Sequence, residues 1–319
     1  MSDHKAELVQ STNDVPKRGF FARTGAHLKR FWWAYLAGLI VVVLVVVLPI
    51  IYVAYPKAAQ KSVNESTLDI TELQITEPAP ESLHLKIRQV IGSHSKYHPV
   101  LDAFNATVTL YGETEPFTFL NAPQVKAEDG AESMVDQPVH LDNIPAFTNY
   151  AKAVMHNEEI KLIVAGETGL KQGSLPKTTV TYNKTVTMKG MNGLKGFDVT
   201  AFNPLSMAGQ VYIPNPSVMT LTLGNITLDL SIDDVPVGQS FLNNVVLKPG
   251  NNTMAMQSRV NQTYVLGLIM GENAKYPDGT VPVTIVGNSS VYNGQELKYY
   301  SDALASNKLL VQLNLSGRS

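Results

Sequence analysis

The sequence predicts an all-β protein in which two tandem β-sandwiches follow a single N-terminal transmembrane helix. Three observations lead to this prediction. An uncharged run separates a basic tail from the rest of the chain, short alternating or β-branched segments recur between turn residues after it, and these segments repeat at a nearly constant offset. Short strands separated by Gly, Pro and Asn turns are typical of sandwiches and barrels.

The first element is the uncharged run, residues 31–55. At about 1.5 Å per residue a helix of this length spans the ~30 Å hydrocarbon core of a bilayer. Aromatic residues lie at both ends, as is typical of membrane interfaces: Trp32, Trp33, Tyr35, Tyr52 and Tyr55. A cleaved signal peptide would have a shorter apolar region and a small-residue cleavage site. A buried soluble helix would show a polar face. We therefore expect a membrane-spanning helix and a short stalk, residues 56–61.

The charges around this run predict its orientation. Six basic residues precede it, Lys5, Lys17, Arg18, Arg23, Lys29 and Arg30, whereas only Lys57 and Lys61 follow closely. The positive-inside rule then places residues 1–30 in the cytosol and the rest outside it, as in a type II membrane protein. The tail is polar and has no apolar period, so we expect it to be disordered. Its basic residues act as topology signals or contact anionic lipids.

Acceptor motifs for N-glycosylation occur only after the apolar run. Such motifs are used on the lumenal side of a membrane, so their placement agrees with the charge bias and predicts a glycoprotein. The eight acceptor residues are Asn64, Asn105, Asn183, Asn225, Asn251, Asn261, Asn288 and Asn314.

Composition excludes several classes of function. The net charge is −2 and the basic cluster is confined to the tail, so no nucleic-acid partner is expected. The chain has no cysteine. Disulfides, thiol catalysis, zinc–thiolate sites and iron–sulfur clusters are therefore excluded, and a lumenal domain must be stabilised by its core alone.

An internal repeat decides the expected domain count. Three pairs of segments match at offsets of 120, 122 and 121 residues, and a possible helix (147–155 or 260–270) falls between the second and third match of each half. The repeat predicts a first sandwich over 62–190, a linker over 191–195 in a glycine-rich segment, and a second sandwich over 196–319. The matched pairs are 105–110 with 225–230, 119–126 with 241–248, and 162–166 with 284–287.

The second half carries a recognisable pattern over 197–204, 211–216 and 221–230, in which Asn-Pro pairs precede a long alternating strand pair. It resembles the late-embryogenesis-abundant type 2 (water stress and hypersensitive response) domain. The whole layout is similar to fungal vacuolar-membrane proteins that carry a domain of unknown function. The first half departs from the pattern, because Gly92–Pro99 stands where the Asn-Pro turn should be. The resemblance implies an immunoglobulin- or fibronectin-like sandwich, no catalytic set, a vacuolar location, and lipid binding in a groove.

No segment indicates catalysis, a cofactor or a metal. His94 and His98 form a close pair, but the segment reads as a loop that ends in Pro99. Asp233-Asp234 reads as a hairpin turn and Glu158-Glu159 as a solvated face. Asn203 and Asn215 precede prolines, so we expect them to close turns by bonding local backbone. Hydrolase, phosphate-loop and dinucleotide motifs are absent, and we predict that the protein is not an enzyme.

Two functional hypotheses remain. The first is a membrane-anchored module that binds lipid or another hydrophobic ligand, lined by the most apolar strand of the second half: Phe241, Leu242, Val245, Val246 and Leu247. The second is a structural or tethering protein that binds a lumenal partner protein or a cell-wall component. An open apolar slot would favour the first and a filled core the second. We expect the vacuolar membrane, with another late secretory membrane or the plasma membrane as alternatives.

Overall fold

The computed structural model describes residues 32–93 and 98–315. The predicted cytosolic tail, Phe31 and His94 lie outside the described residues. The described residues divide into two compact units, one that ends at Tyr55 and one that begins at Pro56.

One helix, α1, covers Trp32–Glu65, and by length and composition it is able to cross a membrane. Two π-helical turns, Val43–Val47 and Ile50–Ala54, flank Pro49. Proline lacks an amide hydrogen and its ring crowds the preceding turn, so wider turns beside it relieve that crowding. The predicted N-terminal apolar helix is therefore present, and a helix of this kind serves as a membrane anchor or a signal sequence.

The second unit is built mainly from strands, which confirms the predicted all-β class. The strands of its first half are β1 Thr67–Ala79, β2 Ser82–Gly92, β3 Val100–Leu101, β4 Phe104–Leu110, β5 Thr118–Ala122, β6 Val125–Lys126, β7 Ala131–His140, β8 Glu159–Lys171 and β9 Thr178–Lys189. Those of its second half are β10 Asp198–Asn203, β11 Ala208–Asn215, β12 Met219–Ile232, β13 Val235–Leu247, β14 Gly250–Val260, β15 Thr280–Tyr292, β16 Gln295–Glu296 and β17 Lys308–Asn314. The helices are α2 Ile144–His156, α3 Gln262–Ile269 and α4 Lys298–Ala305, and a 3₁₀ turn covers Asn192–Leu194.

The two halves pair their strands in the same order. In the second half the order is β10-β11-β14-β13-β12-β15-β17. In the first half β1-β2-β7 form one group and β5-β4-β8-β9 the other, and a bridge between Thr118 and Leu141 links them. Read across this bridge, the first-half order β1-β2-β7-β5-β4-β8-β9 matches the second-half order strand by strand. Parallel pairing of β1 with β12 joins the halves, with Leu73 opposite Met219.

The register within the halves also repeats. Thr107 on β4 lies opposite Phe119 on β5, and their counterparts Thr227 and Phe241 lie opposite each other on β12 and β13. Both predicted helices are present at equivalent places. The domain boundaries at 62–190, 191–195 and 196–319 stay a prediction, because residues 56–319 form one compact unit.

Helix α2 packs in the core beside α4. Its buried residues include Phe147 and Tyr150, and the ring of Phe147 meets Tyr299 of α4 edge-on with centroids 5.0 Å apart. The Tyr299 hydroxyl donates to the Ala79 carbonyl at 3.0 Å. Aromatic side chains in this geometry gain packing energy beyond their burial, so the helix pair contributes to the core between the halves.

The Asn-Pro segments close turns as predicted. The Asn203 side chain accepts hydrogen bonds from the amides of Leu205, at 2.9 Å, and Ser206, at 3.3 Å. Asn215 is buried, and its side chain donates to the Met219 carbonyl at 2.7 Å. The hairpin turn predicted at Asp233-Asp234 joins β12 to β13, with both residues at positive φ.

The segment expected to be a stalk, residues 56–61, is the helical end of α1 and packs on β9. Gln60 exchanges two hydrogen bonds of 2.8 Å with the backbone of Thr181. The buried Lys184 ammonium donates to the carbonyls of Asn64, at 3.0 Å, and Ser66. A cation is favourable at a helix C-terminus. Burial nevertheless lowers the pKa of Lys184 below its usual value.

Candidate ligand-binding cavity

The second half encloses a cavity of about 310 Å³. Strands β12, β13, β14, β15 and β17 contribute its inner wall, and α3 with the β10–β11 turn contributes its outer part. The buried apolar residues of the wall are Leu230, Ile232, Val237, Met256, Val283, Ile285 and Val311. This volume is about twice that of a 150 Å³ apolar cavity that accommodates benzene, which corresponds to about a dozen carbon atoms.

The apolar wall follows from strand alternation. On β15 the buried positions include Val281, Val283 and Ile285, and the residues between them are partly exposed. Alternate side chains point to one face, so the inward positions form a continuous hydrophobic surface. No residue that lines this cavity in the described part of the chain is ionisable. Its polar side chains belong to Ser240, Ser258 and Gln262.

The two serines form a buried pair within this wall. Ser240 on β13 and Ser258 on β14 lie directly opposite each other, and their hydroxyl oxygens are 2.7 Å apart. Ser240 is 0% exposed and Ser258 is 4% exposed. Gln262, in contrast, begins α3 at the surface.

Exposed hydrophobic side chains lie at the outer part of the cavity. Leu205, in the β10–β11 turn, is 92% exposed, Leu266 on α3 is 46% exposed and Met270 just after α3 is 64% exposed. We call these three residues the apolar rim. Single exposed hydrophobic residues are ordinary on a surface, but three at one cavity entrance mark a candidate contact site for a hydrophobic partner.

Helix α3 differs from α2, which takes the equivalent place in the first half. Both helices have an asparagine N-cap: Asn143 accepts from the Ala146 amide at 3.1 Å and Asn261 from the Tyr264 amide at 3.2 Å. Six residues of α2 are buried, whereas α3 has no buried residue. Residues 264–269 of α3 are nevertheless apolar apart from one glycine and the tyrosine hydroxyl. A helix that is hydrophobic on all sides is normally covered, so α3 is suited to an apolar contact.

The segment after α3 is held to the β12–β13 turn. The Tyr276 amide donates to the Leu268 carbonyl at 2.8 Å, and its hydroxyl donates to the Asp233 carboxylate at 2.9 Å. Lys275 forms an ion pair of 2.8 Å with the same carboxylate. Hydrogen bonds from Lys275 and then Tyr276 hold the pKa of Asp233 below its usual value. We call Asp233, Lys275 and Tyr276 the α3 latch.

The first half has a smaller cavity, of about 110 Å³. Its wall includes Val164, Ser133 and Tyr182. Burial raises the pKa of Tyr182 to about 12. Each half therefore contains a cavity, but the larger cavity and the apolar rim belong to the second half.

The five residues predicted to line a ligand site lie elsewhere on β13. Leu242, Val245 and Leu247 are buried around a cavity of only about 50 Å³. Phe241 is partly exposed under the Arg259 guanidinium, 5.6 Å from the ring centroid, and Val246 is also partly exposed. Val237 and Ser240, on the same strand, line the larger cavity instead. Hydrophobicity alone does not single out Val237 and Ser240, because the segment 241–247 of the same strand is more apolar.

The other predicted site residues are placed as follows. All eight glycosylation acceptors are exposed, and glycosylation stays a prediction. Glu158 and Glu159 are exposed, as expected for a solvated face. Within the described residues no group of three or more His, Asp or Glu side chains converges as a metal site would require. The predicted histidine pair is only half described, because His94 lies outside the described residues.

One family description matches part of the chain. A profile described as "Protein of unknown function (DUF3712)" matches residues 115–230, from the loop before β5 into β12. This range is less than half of the chain. No curated protein matches the sequence. The finer resemblance to the late-embryogenesis-abundant type 2 and fungal vacuolar proteins stays an expectation from the sequence motifs.

Two solved structures show weak similarity. A structural-genomics target, SoR45, is 10% identical, with 39% of this chain and 85% of that chain covered and a TM-score of 0.23. The periplasmic chaperone SfaE is 10% identical, with 78% of this chain and 100% of that chain covered and a TM-score of 0.20. At these TM-scores neither likeness carries an argument about function.

Proposed function

We propose that this protein is a membrane-anchored, non-catalytic module whose second half binds a hydrophobic ligand, in the size range of a single lipid chain. The observation that carries the proposal is the cavity of about 310 Å³ with an apolar, uncharged wall. Each methylene transferred from water into such a wall gains about 0.8 kcal/mol. Ligand cavities of known proteins typically start at about this size.

The apolar rim supports a route of entry from a lipid surface. A lipid chain that leaves a bilayer through water exposes its methylenes, whereas Leu205, Leu266 and Met270 offer an apolar path at the cavity entrance. We propose that the rim contacts the membrane during loading. The same rim is compatible with the alternative hypothesis, in which it binds a lumenal partner protein and the cavity stays empty.

The topology belongs to the proposal as well. We propose that α1 is an anchor rather than a cleaved signal, that residues 1–30 are cytosolic, and that the second unit is lumenal and glycosylated. The charge difference across the apolar run and the exposure of all eight acceptor asparagines support this orientation. A vacuolar membrane is proposed from the sequence resemblance alone.

The binding proposal is tested with residues 56–319, which form a compact unit with their own core. The protein is incubated with phosphatidylcholine vesicles that contain a radiolabelled single-chain lipid, and protein and vesicles are then separated by gel filtration. We expect about one labelled molecule to co-elute with each protein. Protein that elutes without label would leave partner binding as the better hypothesis.

The role of the rim is tested by Leu205→Asp. Leu205 is almost fully exposed, so the substitution should change stability by no more than about 0.5 kcal/mol. We expect slower uptake from vesicles at unchanged final stoichiometry. Tyr111→Asp is the matched control, because Tyr111 is 60% exposed on the first half, away from this cavity. Equal uptake rates for the two variants would exclude loading through the rim.

A further inference from the structure

The Ser240–Ser258 pair sets a polar requirement inside an apolar cavity. Two hydroxyl groups carry two protons, and the bond between them uses one. No other hydrogen bond joins either hydroxyl to a described residue. The pair therefore keeps one O–H donor without an acceptor. A buried donor in this state costs free energy until an acceptor is supplied.

The first half shows the contrasting arrangement. By the repeat, Thr118 is the counterpart of Ser240, since each precedes the phenylalanine of a matched segment. The buried Thr118 hydroxyl donates to the His140 carbonyl at 2.7 Å, so its proton is used within the fold. At the position equivalent to the serine pair, the first half therefore has no spare donor.

The rest of the wall restricts the charge of the acceptor. An anionic head group needs a cation or several donors when it leaves water, and this wall offers no ionisable residue in the described chain. One hydroxyl donor offsets the cost of removing a neutral oxygen from water, but it offsets little of the much larger cost for a carboxylate. The geometry points to a ligand with a single apolar chain and a neutral oxygen, as in an alcohol, ketone or ester, that accepts a hydrogen bond from the serine pair. This inference rests on the proposed function, because it names the ligand class of the same cavity.

The opposite orientation is the competing arrangement. Gln262 and solvent at the outer part of the cavity could meet a polar head group of any charge. In that arrangement only the hydrocarbon chain of the ligand fills the cavity, and the serine pair makes no contribution to ligand selectivity. The two orientations therefore differ in whether alcohol and carboxylate ligands are distinguished.

The test uses the full chain in lipid nanodiscs with three photoreactive ten-carbon probes: an alcohol, a carboxylic acid and an alkane. Probes are cross-linked at pH 8, where the acid is ionised, and the labelled peptides are identified by mass spectrometry. We expect the alcohol to label peptides of β13, β14 and α3 about tenfold more than the carboxylate, which is the effect of one well-placed hydrogen bond and an avoided buried charge.

The double variant Ser240→Ala/Ser258→Ala removes both partners and leaves no unpaired hydroxyl, so it should stay folded. We expect the alcohol and alkane probes to label this double variant equally. Ser133→Ala is the control, a buried serine that lines the first-half cavity, and it should keep the wild-type preference. Equal labelling of the wild type by all three probes would overturn the inference while leaving hydrophobic binding intact. No labelling of the cavity peptides by any probe would overturn both.

Discussion

Filling the cavity should weaken ligand binding strongly without unfolding the protein. Val283 is buried on β15, lines the cavity, and lies opposite Val311 on β17. Val283→Phe adds four carbon atoms to the cavity wall. By comparison with a known apolar cavity, the cavity accommodates about twelve carbon atoms of a ligand. A bound chain would lose the burial of about four methylenes, which is about 3 kcal/mol or roughly 200-fold in affinity.

The same substitution should change stability little. The added ring gains up to about 3 kcal/mol of burial, and repacking costs about 1–3 kcal/mol. Affinity is measured by titrating residues 56–319 with an environment-sensitive fluorescent alcohol, and stability by urea denaturation. Val164→Phe, in the first-half cavity, is the matched control and should bind as the wild type does. A folded Val283→Phe protein whose affinity lies within threefold of the wild type would refute the assignment of the cavity as the site.

Three further predictions concern the first-half cavity, the α3 latch and the membrane orientation. Because burial raises the pKa of Tyr182 to about 12, the unfolded chain loses this proton first as pH rises above about 10. Folding stability should therefore fall by about 2 kcal/mol by pH 12 through this group, and Tyr182→Phe should lack this part of the loss in urea titrations. Asp233→Asn removes the carboxylate of the α3 latch, so limited proteolysis should cut residues 271–276 faster than in Asp229→Asn; equal rates would exclude the latch. Digestion with an N-glycosidase should increase the mobility of protein from eukaryotic membranes, and an unchanged band would contradict the proposed lumenal orientation.

The sequence predicted the fold class well because its signals are local. Alternation of apolar residues specifies which side of a strand is buried, and the Asn-Pro pairs act through their own backbone, as Asn203 does with the Leu205 amide. The repeat was also readable, since strand pairs that conserve a threonine opposite a phenylalanine keep similar sequences at a constant spacing.

The association of the two halves was not predictable in the same way. Pairing of β1 with β12 joins segments almost 150 residues apart, with Leu73 opposite Met219. Neither strand carries a local signal for a parallel partner, because a backbone edge pairs with any complementary strand. The helical state of residues 56–61 was missed for a related reason: their burial depends on β9, through Gln60 and Thr181.

The cavity was the least predictable feature. A cavity is volume left between elements, and it depends on how far α3 sits from the strands rather than on the apolar character of one strand. The strand 241–247 is more hydrophobic than the segment around Val237 and Ser240, yet its inward residues fill their space almost completely. One signal was available in the sequence: Ser240 and Ser258 occupy inward positions of long strands, where serine is unusual without a partner.

Native mass spectrometry of residues 56–319, secreted from eukaryotic cells behind an added cleavable signal peptide, tests the central claim most directly. Wild-type protein should carry one hydrophobic adduct per chain, of a mass that fits a single-chain neutral lipid, after the contribution of glycans is removed. Val164→Phe should carry the same adduct and Val283→Phe none. Two results would contradict the claim that the second half of this protein binds its ligand in this cavity. One is wild-type protein that has only its polypeptide mass and takes up no added lipid. The other is an adduct of equal occupancy in Val283→Phe.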